Sequence, residues 1–159
     1  MEVRFQSCVV RPWTPHDRIA AANIISTVLA EYGLVWDPEG ADRDVLEVQT
    51  YYLNTGGDFW VVEHNRNIVA TAGYYPINRG VEAVEIRKMY LLPSVRGQGL
   101  GRFLLHQLET AIAARHYQQI WIETASVLTE AVKLYECNGY IPASGVETAR
   151  CDRVYMKQL

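Results

Sequence analysis

A chain of 159 residues, 49% of them hydrophobic and with a formal net charge of −3, has the size of one domain with a full core. It has no basic block to form a nucleic-acid groove and no apolar run long enough to span a membrane. Cys8, Cys137 and Cys151 show no pairing rhythm, the first five residues lack a leader-like layout, and His16, His64, His106 and His116 lack ligand spacing, so the expectation is a cytoplasmic protein without disulfides or metal.

Residues 5–11 read as a first strand. Thr14, Pro15 and Asp17 then supply a hydroxyl cap, a first-turn proline and an acid at the positive end of a helix that runs through Ile19, Ile24, Ile25 and Leu29 to Gly33. Residues 35–42, with Trp36, Pro38 and Gly40, read as a loop, and residues 44–53 as a helix stopped by Asn54-Thr55-Gly56-Gly57. Residues 58–63 and 67–75 form a predicted hairpin, and Gly80-Val81 turns the chain into a strand over 84–92. Leu100, Leu104, Leu108 and Ile112 then mark one stripe of a helix. A short β-branched strand follows at 120–124, and a helix over 129–138 ends at Asn138-Gly139, a left-handed cap. Its inner face holds Ala131, Leu134 and Tyr135, and residues 154–156 form a last strand.

The densest chemical signal lies between the strand over 84–92 and the helix that follows. Gly97, Gly99 and Gly101 fall within five residues, so main chain can approach a ligand closely. Free amides at a helix start, aided by the helix dipole, bind anions, and Arg96 and Arg102 flank the turn. The expected ligand is a polyphosphate. No Gly-Lys-Ser/Thr follows, which excludes a P-loop. A dinucleotide fingerprint begins correctly at Gly97-x-Gly99, with Glu123 downstream as a ribose partner, but Arg102 stands where a third small residue belongs.

The spacing Arg96-x-x-Gly99-x-Gly101, after a strand ending Met89-Tyr90-Leu91-Leu92-Pro93, resembles the acetyl-CoA signature of the GCN5-related N-acetyltransferase (GNAT) family. The specific matches lie between Glu85 and Tyr140. The resemblance implies an α/β, single-domain acyl-CoA N-acyltransferase fold: a mixed central sheet of about six to seven strands, about four flanking helices, and a splayed strand pair that holds the pantetheine arm. It implies acetyl-CoA as cosubstrate. Main chain at Met89, Tyr90 and Leu91 would hold the arm, and Arg96, Gly97, Gln98, Gly99, Leu100, Gly101 and Arg102 the pyrophosphate. It also implies Tyr135 as the acid that protonates the departing thiolate, although Tyr135 alone reads equally as a core aromatic. Glu85, directly before Ile86, is the first candidate base and Glu123 the reserve. Homodimers are usual in the family.

Regular alternation would put Glu85, Arg87 and Met89 on one face of their strand and Ile86, Lys88 and Tyr90 on the other, unless a bulge intervenes. Tyr32, Trp36, Tyr51 and Tyr52 are candidate walls of an acceptor pocket. Arg87, and from the last strand Arg153, could grip a carboxylate in two bonds. These features lean toward a small amine bearing a carboxylate, such as an amino acid. A protein or peptide amine, or a non-catalytic acyl-CoA sensor, are the other open readings.

Overall fold

The alternating and helical periods sort into one mixed sheet with helices on both faces. In the computed structural model, which describes residues 1–159, the strands are β1 (Val3–Phe5), β2 (Cys8–Pro12), β3 (Asp58–His64), β4 (Asn67–Ile77), β5 (Ala83–Leu91), β6 (Gln119–Thr124), β7 (Ile141–Ala143) and β8 (Arg153–Gln158). Their spatial order is β1-β2-β3-β4-β5-β6-β8-β7. The helices are α1 (Arg18–Glu31), α2 (Arg43–Leu46), α3 (Val48–Tyr51), α4 (Leu100–Ala114) and α5 (Thr129–Cys137). None is long and apolar enough to cross a membrane.

There are eight strands, not six to seven, and five α-helices, not four, and each difference has a local cause. The first strand is broken by Gln6, at φ +53°, into the β1–β2 hairpin. β7 is three exposed residues whose only partner is β8, too short to show a period. The helix expected over 44–53 divides at Glu47, whose φ of −128° and ψ of +48° are not helical. By contrast, Asn65 and Arg66 both take positive φ, as a two-residue hairpin turn demands.

Each sheet face has its own core. On one, Leu104, Leu108 and Ile112 of α4 pack with Val84, Ile86 and Ile120, and Tyr135 of α5 joins them. On the other, Ala21, Ile25 and Leu29 of α1 pack with Val45, Val48, Tyr52 and Phe59. Fully burying one such aliphatic side chain contributes about 1.5–3 kcal/mol.

Two irregularities in β5 create the site. β5 and β6 are the one parallel pair, and they stay joined only from Ala83↔Gln119 to Glu85↔Trp121. Beyond that point they diverge, although β5 continues to Leu91 and β6 to Thr124. The second irregularity is a bulge: Thr71 pairs with Tyr90 and Gly73 with Arg87, so Lys88 and Met89 together oppose Ala72. Lys88 takes φ +54°, a conformation that costs a non-glycine residue about 1–2 kcal/mol. The Thr71 hydroxyl donates to the Lys88 carbonyl at 2.7 Å and fixes the distortion.

The bulge corrects the alternation expected from sequence. Met89 and Leu91 pack with Ile86 on the α4 side, while Tyr90 packs with the α1 core. Arg87 and Lys88, adjacent in sequence, both reach α2 or the loop before it. Glu85, Arg87, Lys88 and Tyr90 therefore share the side that Met89 was expected to occupy with Glu85.

Candidate active site

Where β5 and β6 separate, a cleft of about 580 Å³ opens, floored by residues 85–91 of β5 and walled by the end of β6 and by α5. A strand pair that parts leaves inward-facing peptide groups without ladder partners, a costly arrangement unless something else binds there. Met89, Tyr90 and Leu91 all line it. The Leu91 carbonyl is taken internally by Arg96 Nε at 2.9 Å.

The glycine loop closes one end. Gly97 and Gly99 adopt φ of +74° and +90°, left-handed values that aim successive amides outward. None of the amides of residues 97–102 donates to a carbonyl of the chain, so six free donors converge where α4 begins. Phe5 of β1 stacks on Phe103 at 4.8 Å and lies 3.5 Å from where a Cβ on Gly99 would sit, which props the loop from behind. This donor set suits a diphosphate. Gly97, Gly99, Gly101 and Arg102 line the cleft, whereas the Gln98 side chain is exposed outside it and Leu100 is buried in the α4 core. Only their amides are free to meet an anion.

The two flanking arginines divide their work. Arg96 binds Glu31 through two nitrogens at 2.6 and 2.8 Å, and its charge is already matched. It clamps the end of β5 to α1. Arg102 is exposed at the cleft and makes no ion pair or hydrogen bond within the chain.

Tyr135 projects from α5 into the cleft, 96% buried by its residual exposure of 4%. Its hydroxyl is not bonded to any group of the chain. Burial, with the nearby Tyr90 and Cys151, pushes its pKa well above the usual phenol range, so it keeps its proton at neutral pH. Glu85 stands at the fork itself, in the last joined pair. Burial raises its carboxyl pKa, against the pull of Arg87, whose guanidinium lies 3.5 Å away. Glu123, the reserve base, is committed elsewhere: Oε1 accepts from the amides of Glu147 and Thr148 at 3.0 and 2.9 Å, and Oε2 faces Arg79 at 3.3 Å.

A second hollow of about 430 Å³ lies on the far side of Arg87, bounded by the loop before α2, by Tyr51 and Tyr75, and by residues 147–149. Arg87 and Thr148 line both spaces. The aromatics named from sequence scatter. Tyr51 lines the second hollow. Tyr32 lines the first cleft, under Arg96, and not the second hollow. Trp36 packs on the α1 core and lines neither, and Tyr52 is wholly buried with its hydroxyl on Asp44. Arg153 is exposed on β8 and lines neither space.

Between the two spaces runs a buried charge network that sequence reading missed. Asp42, fully buried, accepts from Lys88 Nζ at 2.9 Å and from both terminal nitrogens of Arg150 at 2.6 and 2.5 Å. Burial pushes the Asp42 carboxyl up, but Arg150 and Lys88 outweigh it and hold its pKa near 2. Lys88 also faces Asp44 at 3.5 Å, and burial lowers its own pKa. The available signal was the dipeptide Arg87-Lys88 inside an otherwise apolar strand: strict alternation would bury one of the two without a partner.

A parallel pair that forks over a cleft, beside a loop of free amides, defines an acyl-CoA-dependent acyltransferase. The family model described as Acetyltransferase (GNAT) family matches residues 23–140. An uncharacterized N-acetyltransferase of Escherichia coli K12, YjgM, is 35% identical over 138 residues, 85% of this chain and 83% of that protein. N-acetylaspartate synthetase of Xenopus tropicalis is 29% identical over 105 residues, 65% of this chain and 38% of that protein. The crystal structure of a GNAT-family acetyltransferase from Staphylococcus aureus Mu50 superposes with a TM-score of 0.87 at 20% identity, covering 95% of this chain and 98% of that one. The chain belongs to the GNAT family and is an acetyl-CoA-dependent N-acetyltransferase.

Proposed function

We propose that the acceptor is a small primary amine bearing a carboxylate, an amino acid or a close relative. One observation carries this reading. Arg87 has five donors, yet its hydrogen bonds are two long contacts, 3.5 Å to Glu85 and 3.4 Å to the Ala41 carbonyl, and its buried Nε faces Asp44 at 3.6 Å, beyond hydrogen-bond reach. A buried guanidinium left so loosely engaged, facing both the cleft and the second hollow, suits a carboxylate that binds it in two bonds. The name of the Xenopus relative, N-acetylaspartate synthetase, points the same way. A polypeptide amine needs an open groove, and here Arg150 clasps the loop over 35–42 to the segment before β8.

When bound, acetyl-CoA supplies an activated acetyl thioester. The amides of residues 97–102 and the side chain of Arg102 hold its diphosphate, and the open edge of β5 at Met89 to Leu91 aligns its arm. Glu85 takes the proton of the acceptor ammonium, directly or through water, and its raised pKa brings it nearer the operating pH. The Tyr135 hydroxyl gives its proton to the departing sulfur. The test is release of free CoA thiol with aspartate, glutamate, neutral amino acids and 1,4-diaminobutane. Acidic amino acids should be acetylated, and Arg87→Met should raise their KM by about tenfold or more, as loss of a charged hydrogen-bond pair does. Preference for the diamine would overturn the carboxylate reading.

A further inference from the structure

Glu123 lies on the fork and lines the cleft, but both of its oxygens are already engaged. Its two oxygens take three donors: the amides of Glu147 and Thr148 and the guanidinium of Arg79. Its side chain is 4% exposed, so each of these bonds stands in place of water. Arg79 in turn donates to the carbonyls of Ser144 and Gly145 at 2.5 and 2.6 Å and lies 4.4 Å over the ring of Trp121. Gly145 has φ +93°, and a Cβ there would come within 2.8 Å of the guanidinium. From Ser144 to Thr148 the chain thus hangs on one ion pair. Farther along, Asp152 accepts from the amide and hydroxyl of Ser126, both at 2.6 Å, and Arg150 reaches Asp42. The stretch so held carries Glu147, Thr148 and Ala149, one wall of the second hollow, and Thr148 also borders the cleft.

We propose that Glu123 and Arg79 are positioning residues for the acceptor: together they build the wall formed by residues 147–149 and so set amine selectivity, and Glu123 takes no part in proton transfer. The proposal rests on the second hollow being the acceptor side. Both oxygens of Glu123 already accept from the chain, three donors in all, whereas Glu85 has one long contact, to Arg87 at 3.5 Å.

The test uses Glu123→Ala, Glu123→Gln and Arg79→Ala in the full chain, with amide hydrogen exchange and with kinetics on aspartate. Glu123→Ala should speed exchange at residues 144–149 and raise the aspartate KM by about tenfold, the loss of one or two buried hydrogen bonds. It should leave acetyl-CoA affinity and the acid limb of the kcat pH profile in place. Glu123→Gln keeps one oxygen for the two amides and should fall between wild type and Glu123→Ala, and Arg79→Ala should follow Glu123→Ala. Equal collapse of kcat in the Gln and Ala variants with loss of the acid limb would make Glu123 a base and overturn the proposal. Wild-type exchange in Glu123→Ala would overturn it too. Failure of the amino-acid reading shows separately, as no CoA release by the wild-type enzyme with aspartate, and the exchange experiment still decides the role of Glu123.

Discussion

Lys88 Nζ and Asp42 Oδ1 meet at 2.9 Å in the protein interior, joining the bulge of β5 to the loop before α2. Breaking a buried pair by removing one partner costs far more than the pair contributes, because a charge is stranded. Asp42→Asn removes the charge that Arg150 and Lys88 share and leaves Lys88 only Asp44, at 3.5 Å, so it should destabilise the fold by about 3 kcal/mol, read as a lowered urea midpoint at unchanged slope. Lys88→Met, which removes the buried ammonium and leaves Arg150 on Asp42, should cost less.

Acid should loosen the same contact. The folded Asp42 pKa is depressed to about 2 from 3.8, so its contribution is present above the unfolded value and is lost as pH falls through the folded one. Stability should drop between about pH 4 and pH 2 by roughly 2 kcal/mol from this group. In Asp42→Asn that portion of the decline should vanish. A wild-type acid profile in the variant would assign the loss to other carboxylates.

At the glycine loop, Gly99→Glu should abolish acetyl-CoA binding in calorimetric titration. It brings a side chain to φ +90° and a negative charge among amides that await an anion. Gly101→Ala is the control. It lies within α4, and a Cβ there meets only ordinary contacts at 3.6 Å and beyond. That variant should fold at least as stably as wild type, since alanine in a helix is favoured over glycine by about 1 kcal/mol, so it separates an effect on the fold from one on the ligand.

Tyr135→Phe removes a hydroxyl that has no partner in the chain, so thermal stability should change by less than about 1 kcal/mol. Turnover should fall by about a hundredfold, within the range for a lost general acid, while acetyl-CoA affinity holds. Equal losses in binding and turnover would recast Tyr135 as packing.

The pH profile bears on Glu85. Its raised pKa should put the acid limb of kcat/KM above the ordinary carboxylate range, with activity rising as pH rises through it. Glu85→Gln should flatten that limb. If the limb persists, a water chain or another group takes the proton.

Much of this was legible in the residues, and what was not has physical causes. Three glycines between a strand and a helix announced an anion loop because few other ligands ask for bare main chain. The α4 stripe read cleanly because four buried aliphatics share one 3.6-residue period. The cause of the failure in β5 is specific: a bulge leaves no trace in hydrophobic alternation when the residues on both sides of the strand are buried. The ion pair of Arg96 was hidden because its partner, Glu31, lies 65 residues away. The partners of Glu123 at residues 147 and 148 lie in a stretch with no periodicity to read.

The single inserted position at Lys88–Met89 makes β5 a strand of two parities. Before it, odd-numbered side chains face one compartment; after it, even-numbered ones do. Deleting either residue would pair the ladder one to one and keep Tyr90 toward α1 and Leu91 toward α4, whereas regular alternation along the intact strand would exchange the linings of two rooms without altering any side chain. A single-residue deletion here should therefore keep both linings and cost chiefly the contacts of the side chain removed.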